Sequence, residues 1–272
     1  MLRFGLLVLI CLLAAAPAMA ECELRSLWRG VNAVDYVPKV RACLETPGSD
    51  IWFEESVEKE VLELINSERE AKGLAALALR SELVAPTRIH SFDMAQEAFF
   101  AHEGPDGRVA SQRVSALDRT LVFSEIRENI ATIGGDFNYY DTARILHRTL
   151  MDSDGHRANI LAPNVTHVGL GVARQEKGAW ITQVFVRAEG ELEAPLQTSV
   201  SVSEPPEIQA ELIDWDVNGF ALRDEDGMEY NFGDPISDFR KDFSLVVLGE
   251  RVVNKRRRSI IKLFGPSTTP VP

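Results

Sequence analysis

The feature that most limits the fold is a change of hydrophobic period part-way along the chain. In SVEKEVLELINSEREAKG, residues Val57, Val61, Leu64 and Ile65 fall at i, i+4, i+7 and i+8, which lays one apolar stripe along a helix. Ser56 is placed to cap that helix, Glu58 and Glu60 suit the positive end of its dipole, and Lys72-Gly73 suits its close. A second helix is expected from near Ser81 to Glu97, regular from Pro86 onward because a proline needs no amide donor in a first turn. The loop after it carries a strong turn signal in Gly104-Pro105-Asp106-Gly107. The helical period returns in Tyr139, Ala143, Leu146 and Leu150, predicting a helix over 138–152. Two strands follow: residues 167–173, interrupted by Gly169 and Gly171, and residues 180–187, rich in β-branched and aromatic side chains, with Gly178 in the turn. Past residue 207 the period becomes two, in Ile208, Ala210 and Leu212, in Phe220 and Leu222, and in Met228, Tyr230 and Phe232. Turn signals at Asn218-Gly219 and 224–227 separate these runs and predict a β-meander, which the runs 243–248 and 259–264 complete. Helices first and strands later define an α+β chain.

The ends of the chain set its compartment. In MLRFGLLVLICLLAAAPAMA, a charged start, an apolar run and Ala18-Met19-Ala20 read as a secretory signal peptide over residues 1–20, too short for a membrane span. Its removal takes Cys11 and leaves Cys22 and Cys43, an even pair expected to form a disulfide in an oxidising compartment. The expected product is exported and soluble, periplasmic or extracellular. Residues 21–54 read as an N-terminal extension, 55–190 as the main domain, 191–206 as a Ser/Pro/acid-rich linker and 207–272 as a small β domain. A net charge of -12 excludes nucleic acid as a general partner. Lys255-Arg256-Arg257-Arg258 is the one strongly basic run. Its plain reading is a solvated strand edge that deters aggregation; contact with an anionic lipid or polymer is the alternative.

Candidate chemistry rests on the histidines. His102 closes Phe99-Phe100-Ala101 at a helix-to-loop boundary, and His156 follows Gly155 in SDGHRANIL, after an apparent helix end; irregular backbone there can aim a side chain into a cleft. His90 and His147 fall inside predicted helices and read as helix-face residues, and His167 begins a strand. No HExxH pair is present, and neither Ser153 nor Ser91 has the glycine pattern of a nucleophile elbow.

Five blocks, HSFDMAQEAFFAHEGPDGR, ENIA, SDGHRANIL, VGLGVA and WITQVFV, resemble in order and spacing the bacterial branch of the CAP superfamily, the cysteine-rich secretory, antigen 5 and pathogenesis-related-1 proteins, over residues 57–187. The resemblance implies a three-layer α-β-α sandwich of CAP type over residues 55–190, followed here by the small all-β C-terminal domain. It also implies a central cleft in which the family's first histidine falls on His102, its glutamate on Glu128 and its second histidine on His156. In many relatives such a cleft takes a divalent cation, often zinc, and no organic cofactor is implied. Ser153 stands where those relatives carry a second glutamate, leaving Asp152 or Asp154 as further oxygen donors. Arg127 replaces the glycine before the glutamate, and Asp154 the proline before Gly155. Two imidazoles and one carboxylate form a competent zinc set, with a bound water of pKa about 7; the same groups hydrogen-bonded together equally make a metal-free scaffold. The expected function is a cell-envelope binding or scaffolding module, more a binder than an enzyme, whose partner is an unidentified envelope component, lipid or peptide. The alternatives are a metal-assisted hydrolase of peptide, peptidoglycan or lipid ester, and a lipid-binding protein.

Overall fold

The computed structural model describes Cys22 and residues 31–48, 50–135, 141–236, 238–254 and 257–272. The leader expected over 1–20, the first residues of the helix expected over 138–152, and Lys255-Arg256 of the basic run lie outside them.

One helical layer follows from the first apolar stripe. Helix α2 (Glu55–Ala71) buries Val57, Val61 and Ile65. Its N-cap is Glu54, without a side-chain bond, so Ser56 lies inside the first turn and is not the cap. Its close follows the expected Lys72-Gly73: Gly73 takes φ +70° and donates to Glu70 O, and Leu74 donates to Arg69 O, a Schellman pattern. Against α2 lie α5 (Thr142–Met151) and the short α6 (Asp154–Ile160), which contribute Leu146, Leu150 and Ile160 to the same core. SDGHRANIL is thus a helix of its own, not the turn that follows a helix end.

The second helical layer was only partly foreseen. A 3-10 turn (Ser81–Leu83) leads into α3 (Val84–Glu97), with Pro86 in its first turn. Helix α3 buries Ile89, His90, Ser91, Phe92 and Met94 on several faces, because α1 (Ala33–Glu45) and α4 (Ala110–Leu117) cover the side turned from the sheet. Helix α1 occupies the stretch read as an extension. Its Tyr36, Val37 and Val40 pack with Ile89 and Phe92, and the Cys22–Cys43 disulfide joins Cys22 to it.

Between the layers run three antiparallel strands, β4 (His167–Gln175), β5 (Gly178–Leu192) and β3 (Leu121–Gly134), with β5 in the middle. Val168, Leu170 and Val172 of β4 face α2 and α5. The alternate positions face α3, and there the glycines have their reason. A Cβ on Gly169 would lie 2.3 Å from Leu83 Cβ, and one on Gly171 2.2 Å from Arg88 N, so the helix backbone sits directly on the strand. The architecture is α-β-α, as expected. The short β1 (Trp52–Phe53) and β2 (Ala78–Leu79) both pair with β4.

The C-terminal region extends this same sheet. Strand β11 (Arg257–Val271) meets β3 at Phe264–Phe123, and then follow β10 (Phe243–Asn254), β8 (Asp216–Arg223) and β9 (Glu229–Tyr230). Because β10 pairs with β8 and not with β9, the expected meander is replaced by a crossed order. Residues 191–206, read as a linker, hold the end of β5 and β6 (Ser199–Ser201), which runs parallel to β11, and they bury Leu192, Leu196, Val200 and Val202 with Leu222, Leu245 and Leu263. Strand β7 (Ala210–Leu212) adds to the far end of β5.

Candidate functional site

The site is assembled from a connector, a strand and a short helix, each anchored separately. Helix α3 closes at Ala98 in the left-handed region (φ 52°), and the chain turns into the connector that carries His102. His90 on α3, fully buried, donates from Nε2 to Ala101 O at 2.9 Å and stands edge-on to Phe99 at 6.0 Å between centroids. Arg113 on α4, also buried, donates to His102 O at 3.1 Å and Arg108 O at 2.6 Å. Both carbonyls at His102 are therefore held from below. The roles of His90 and Arg113 were not foreseen. His90 read as helix covering, and residues 110–117 carried no assignment.

Glu128 comes from β3. Irregularities in the β3–β5 register between Val122 and Glu125 shift the alternation, so that Ile126 and Phe123 pack toward α4 together. The Glu128 side chain is only 6% exposed, and both of its oxygens are engaged: His102 Nδ1 donates to Oε1 at 2.7 Å, and Arg113 donates to Oε2. The His102 ring itself is 55% exposed. In the neutral ring, with Nδ1–H bound to the carboxylate, Nε2 is the nitrogen left to accept. Arg127 pairs with Glu125 and donates to Asn159 Oδ1 at 3.3 Å.

His156 reaches the site on α6, which polar bonds hold against β3. Fully buried Asn129 donates to His156 O at 3.1 Å and to Gln183 Oε1 at 3.1 Å, while Asn159 donates to Asn129 Oδ1 at 2.8 Å and Glu128 O at 3.2 Å. Buried Arg69 on α2 donates to Ile160 O and Ala162 O, each at 2.8 Å. Partial burial, and secondarily the nearby His102, lower the His156 pKa below the ordinary imidazole value.

The remaining expected residues are placed elsewhere. Asp154 is 95% exposed and pairs with Arg157, three residues on. Asp152 ends α5 as an exposed C-cap, and Ser153 precedes α6 without a side-chain capping bond. Ser91 is buried and donates to Gly171 O at 2.8 Å beside Thr182 Oγ1, so it is a packing hydroxyl. Among the described residues no group of three or more His, Cys, Asp or Glu side chains is gathered closely enough to hold a metal ion. A three-ligand set of His102, Glu128 and His156 does not fit this arrangement, because Glu128 has a cation on one oxygen and an imidazole on the other. Beside the pair lies an open cleft of about 260 Å³ lined by His102, Val109, Ser111, Ile126, Arg127 and Glu128.

Fold and site together define an α-β-α module in which His102 and Glu128, the latter tied to buried Arg113, border an open cleft, with a second histidine on a short helix nearby. Residues 62–185 match the family model described as CAP, the cysteine-rich secretory protein family, and the chain carries a domain of that family there. The uncharacterized protein YkwD of Bacillus subtilis is 33% identical over 129 residues, covering 47% of this chain and 46% of that protein. The uncharacterized membrane protein YlbC of the same organism is 32% identical over 134 residues, covering 48% of this chain and 34% of its own. The matches thus span less than half of these relatives. An extracellular SCP-domain protein of Bacillus anthracis, solved at 1.5 Å, is similar over 49% of this chain and 41% of its own, with 27% identity and a TM-score of 0.42.

Proposed function

We propose that this is an exported CAP-domain protein that serves as a binding or scaffolding module of the cell envelope, with a cleft at His102, Glu128 and His156 that holds a divalent cation only weakly. The observation that carries the reading is the engagement of both Glu128 oxygens. A carboxylate paired with a buried guanidinium and an imidazole is a structural tie, and the positive charge of Arg113 opposes a cation beside it. What is left for a metal is two imidazoles, short of the three protein ligands that catalytic zinc sites use. The Cys22–Cys43 disulfide supports export, and among the described residues no helix is long and apolar enough to cross a membrane.

The test is a zinc titration of the metal-free protein by calorimetry, together with hydrolysis assays on peptide, peptidoglycan and ester substrates. Binding no tighter than micromolar and no turnover are expected. Glu128→Gln, which leaves Arg113 buried without its counter-charge, is expected to cost about 3 kcal/mol of stability. Stoichiometric tight zinc, lost together with turnover in His102→Ala and His156→Ala, would show a metalloenzyme and sink this reading.

A further inference from the structure

The last two strands project beyond the sheet. Strand β8 accompanies β10 only as far as Asp216–Glu250, and β11 touches β3 only at Phe264–Phe123. Past those points residues 251–254 and 257–259 pair with each other alone, as a two-stranded ribbon. The ribbon and its base carry large aliphatics in the open: Val252 is 61% exposed and Val253 51% on the ribbon, and Ile260, opposite Glu250 at its base, 63%. The register Val252–Arg258 and Glu250–Ile260 sets Val252, Arg258, Ile260 and Glu250 on one face, with Val253 at the irregularity between Val252 and Asn254. Between Gly249 and Lys262 the sequence has six Lys or Arg residues against the single Glu250, in a chain of net charge -12. Arg258 pairs with Glu250 and Lys262 with Glu229, while Arg251 stacks over Trp215 at 4.7 Å, so a surplus of positive charge remains around the tip.

Edge protection explains the charges but not the aliphatics. Cations alone deter strand-to-strand pairing, and exposing three aliphatic side chains on the ribbon and its base works against solubility. Side by side on a projecting ribbon, the two kinds of residue complement a surface that is anionic outside and apolar beneath. A soluble polyanion would satisfy the arginines and leave Val252, Val253 and Ile260 in water; a bilayer of anionic lipid satisfies both. We propose that the β10–β11 tip docks peripherally on anionic lipid bilayers, with Val252, Val253 and Ile260 entering the headgroup–acyl boundary and Arg257 and Arg258 meeting the lipid phosphates. The tip lies outside the matched family region and on different strands from the His102–Glu128 pair.

The experiment is co-sedimentation of the full mature chain with vesicles of phosphatidylcholine alone or mixed with phosphatidylglycerol, at low and high salt. The wild type should bind the mixed vesicles, be released by salt, and ignore pure phosphatidylcholine. Val252→Ser/Val253→Ser/Ile260→Ser and Arg257→Glu/Arg258→Glu should each lower partition about tenfold or more, with circular dichroism confirming that the exposed substitutions leave the fold intact. Absence of binding to the mixed vesicles, equal binding to both kinds, or indifference to the aliphatic substitutions would each overturn the proposal. The wild-type salt and lipid comparison decides the matter even where a variant fails to fold. No divalent cation enters the assay, so its failure leaves the reading of the cleft untouched.

Discussion

At the scale of single residues, the site is built by groups that do not touch its cleft. His90 shows this best. It is fully buried, gives its one donor to Ala101 O, and has no partner for Nδ1. Burial, and then the charge of Arg113, bring its pKa down to about 2. From about pH 6.5 downward the unfolded chain takes up a proton that the native ring refuses. Its contribution to stability is therefore full above that pH and lost as pH falls toward the folded value. His147, His156 and His167 are lowered, chiefly by burial, and act in the same direction. Buried Asp93, raised well above the carboxylate range by burial and Asp106, acts oppositely, its contribution fading as pH rises. Comparing variants isolates the histidine. His90→Gln keeps a donor for Ala101 O without the basic nitrogen, and between pH 7 and 5 it should lose about 2 kcal/mol less than wild type in urea unfolding. Equal losses in the two proteins would show that His90 is not held neutral. The sequence marks none of this. His102, Glu128 and His156 were legible because they sit in blocks that resemble a family, whereas Arg113 and His90 matter through burial by distant segments, which no local pattern records.

At the scale of elements, legibility followed the number of buried faces. Helix α2 buries one stripe and was readable in outline from its period alone. Strand β3 was invisible: the polar run Glu125-Ile126-Arg127-Glu128-Asn129 lies where the strand has left β11 and borders the cleft and α6. Helix α6 has seven residues and a glycine near its start, so side-chain bonds from Arg69, Asn129 and Asn159 hold it more than its own propensity does. The glycines of β4 were visible as interruptions, and their cause is the approach of α3. At Gly171 a methyl group would meet the backbone of Thr87 and Arg88 at 2.2–2.3 Å, and backbone cannot rotate aside. Gly171→Ala should thus cost about 3 kcal/mol or more and raise hydrogen exchange in α3. A change below about 1 kcal/mol would mean that the helix seats more loosely than this.

At the scale of the whole molecule, the question is whether the C-terminal strands are an appendage or part of one cooperative body, and Arg119 carries the answer. It lies between α4 and β3, is 7% exposed, and donates to five carbonyl oxygens: Ser115 and Ala116 in α4, and Leu196, Gln197 and Ser267 beyond the matched family region. Burial lowers its pKa to about 10, with Asp242 opposing, so it stays charged at neutral pH and its carbonyls stay necessary. Val122 of β3 is buried in the C-terminal core, beside Leu192 and Leu245. Excising residues 55–190 would strip the partners from both. A single unfolding transition is therefore expected for the intact chain, with circular dichroism and hydrogen exchange agreeing. Arg119→Met fills the same space but removes the guanidinium from the Leu196 and Ser267 carbonyls, while Gln197 O keeps the Thr268 hydroxyl at 2.9 Å, at a cost of about 3 kcal/mol or more. That cost should fall unevenly, loosening residues 196–202 and 263–271 before α2 and β4. If the variant still melts in one step with protection lost uniformly, the tie lies in the shared apolar core and not in the arginine.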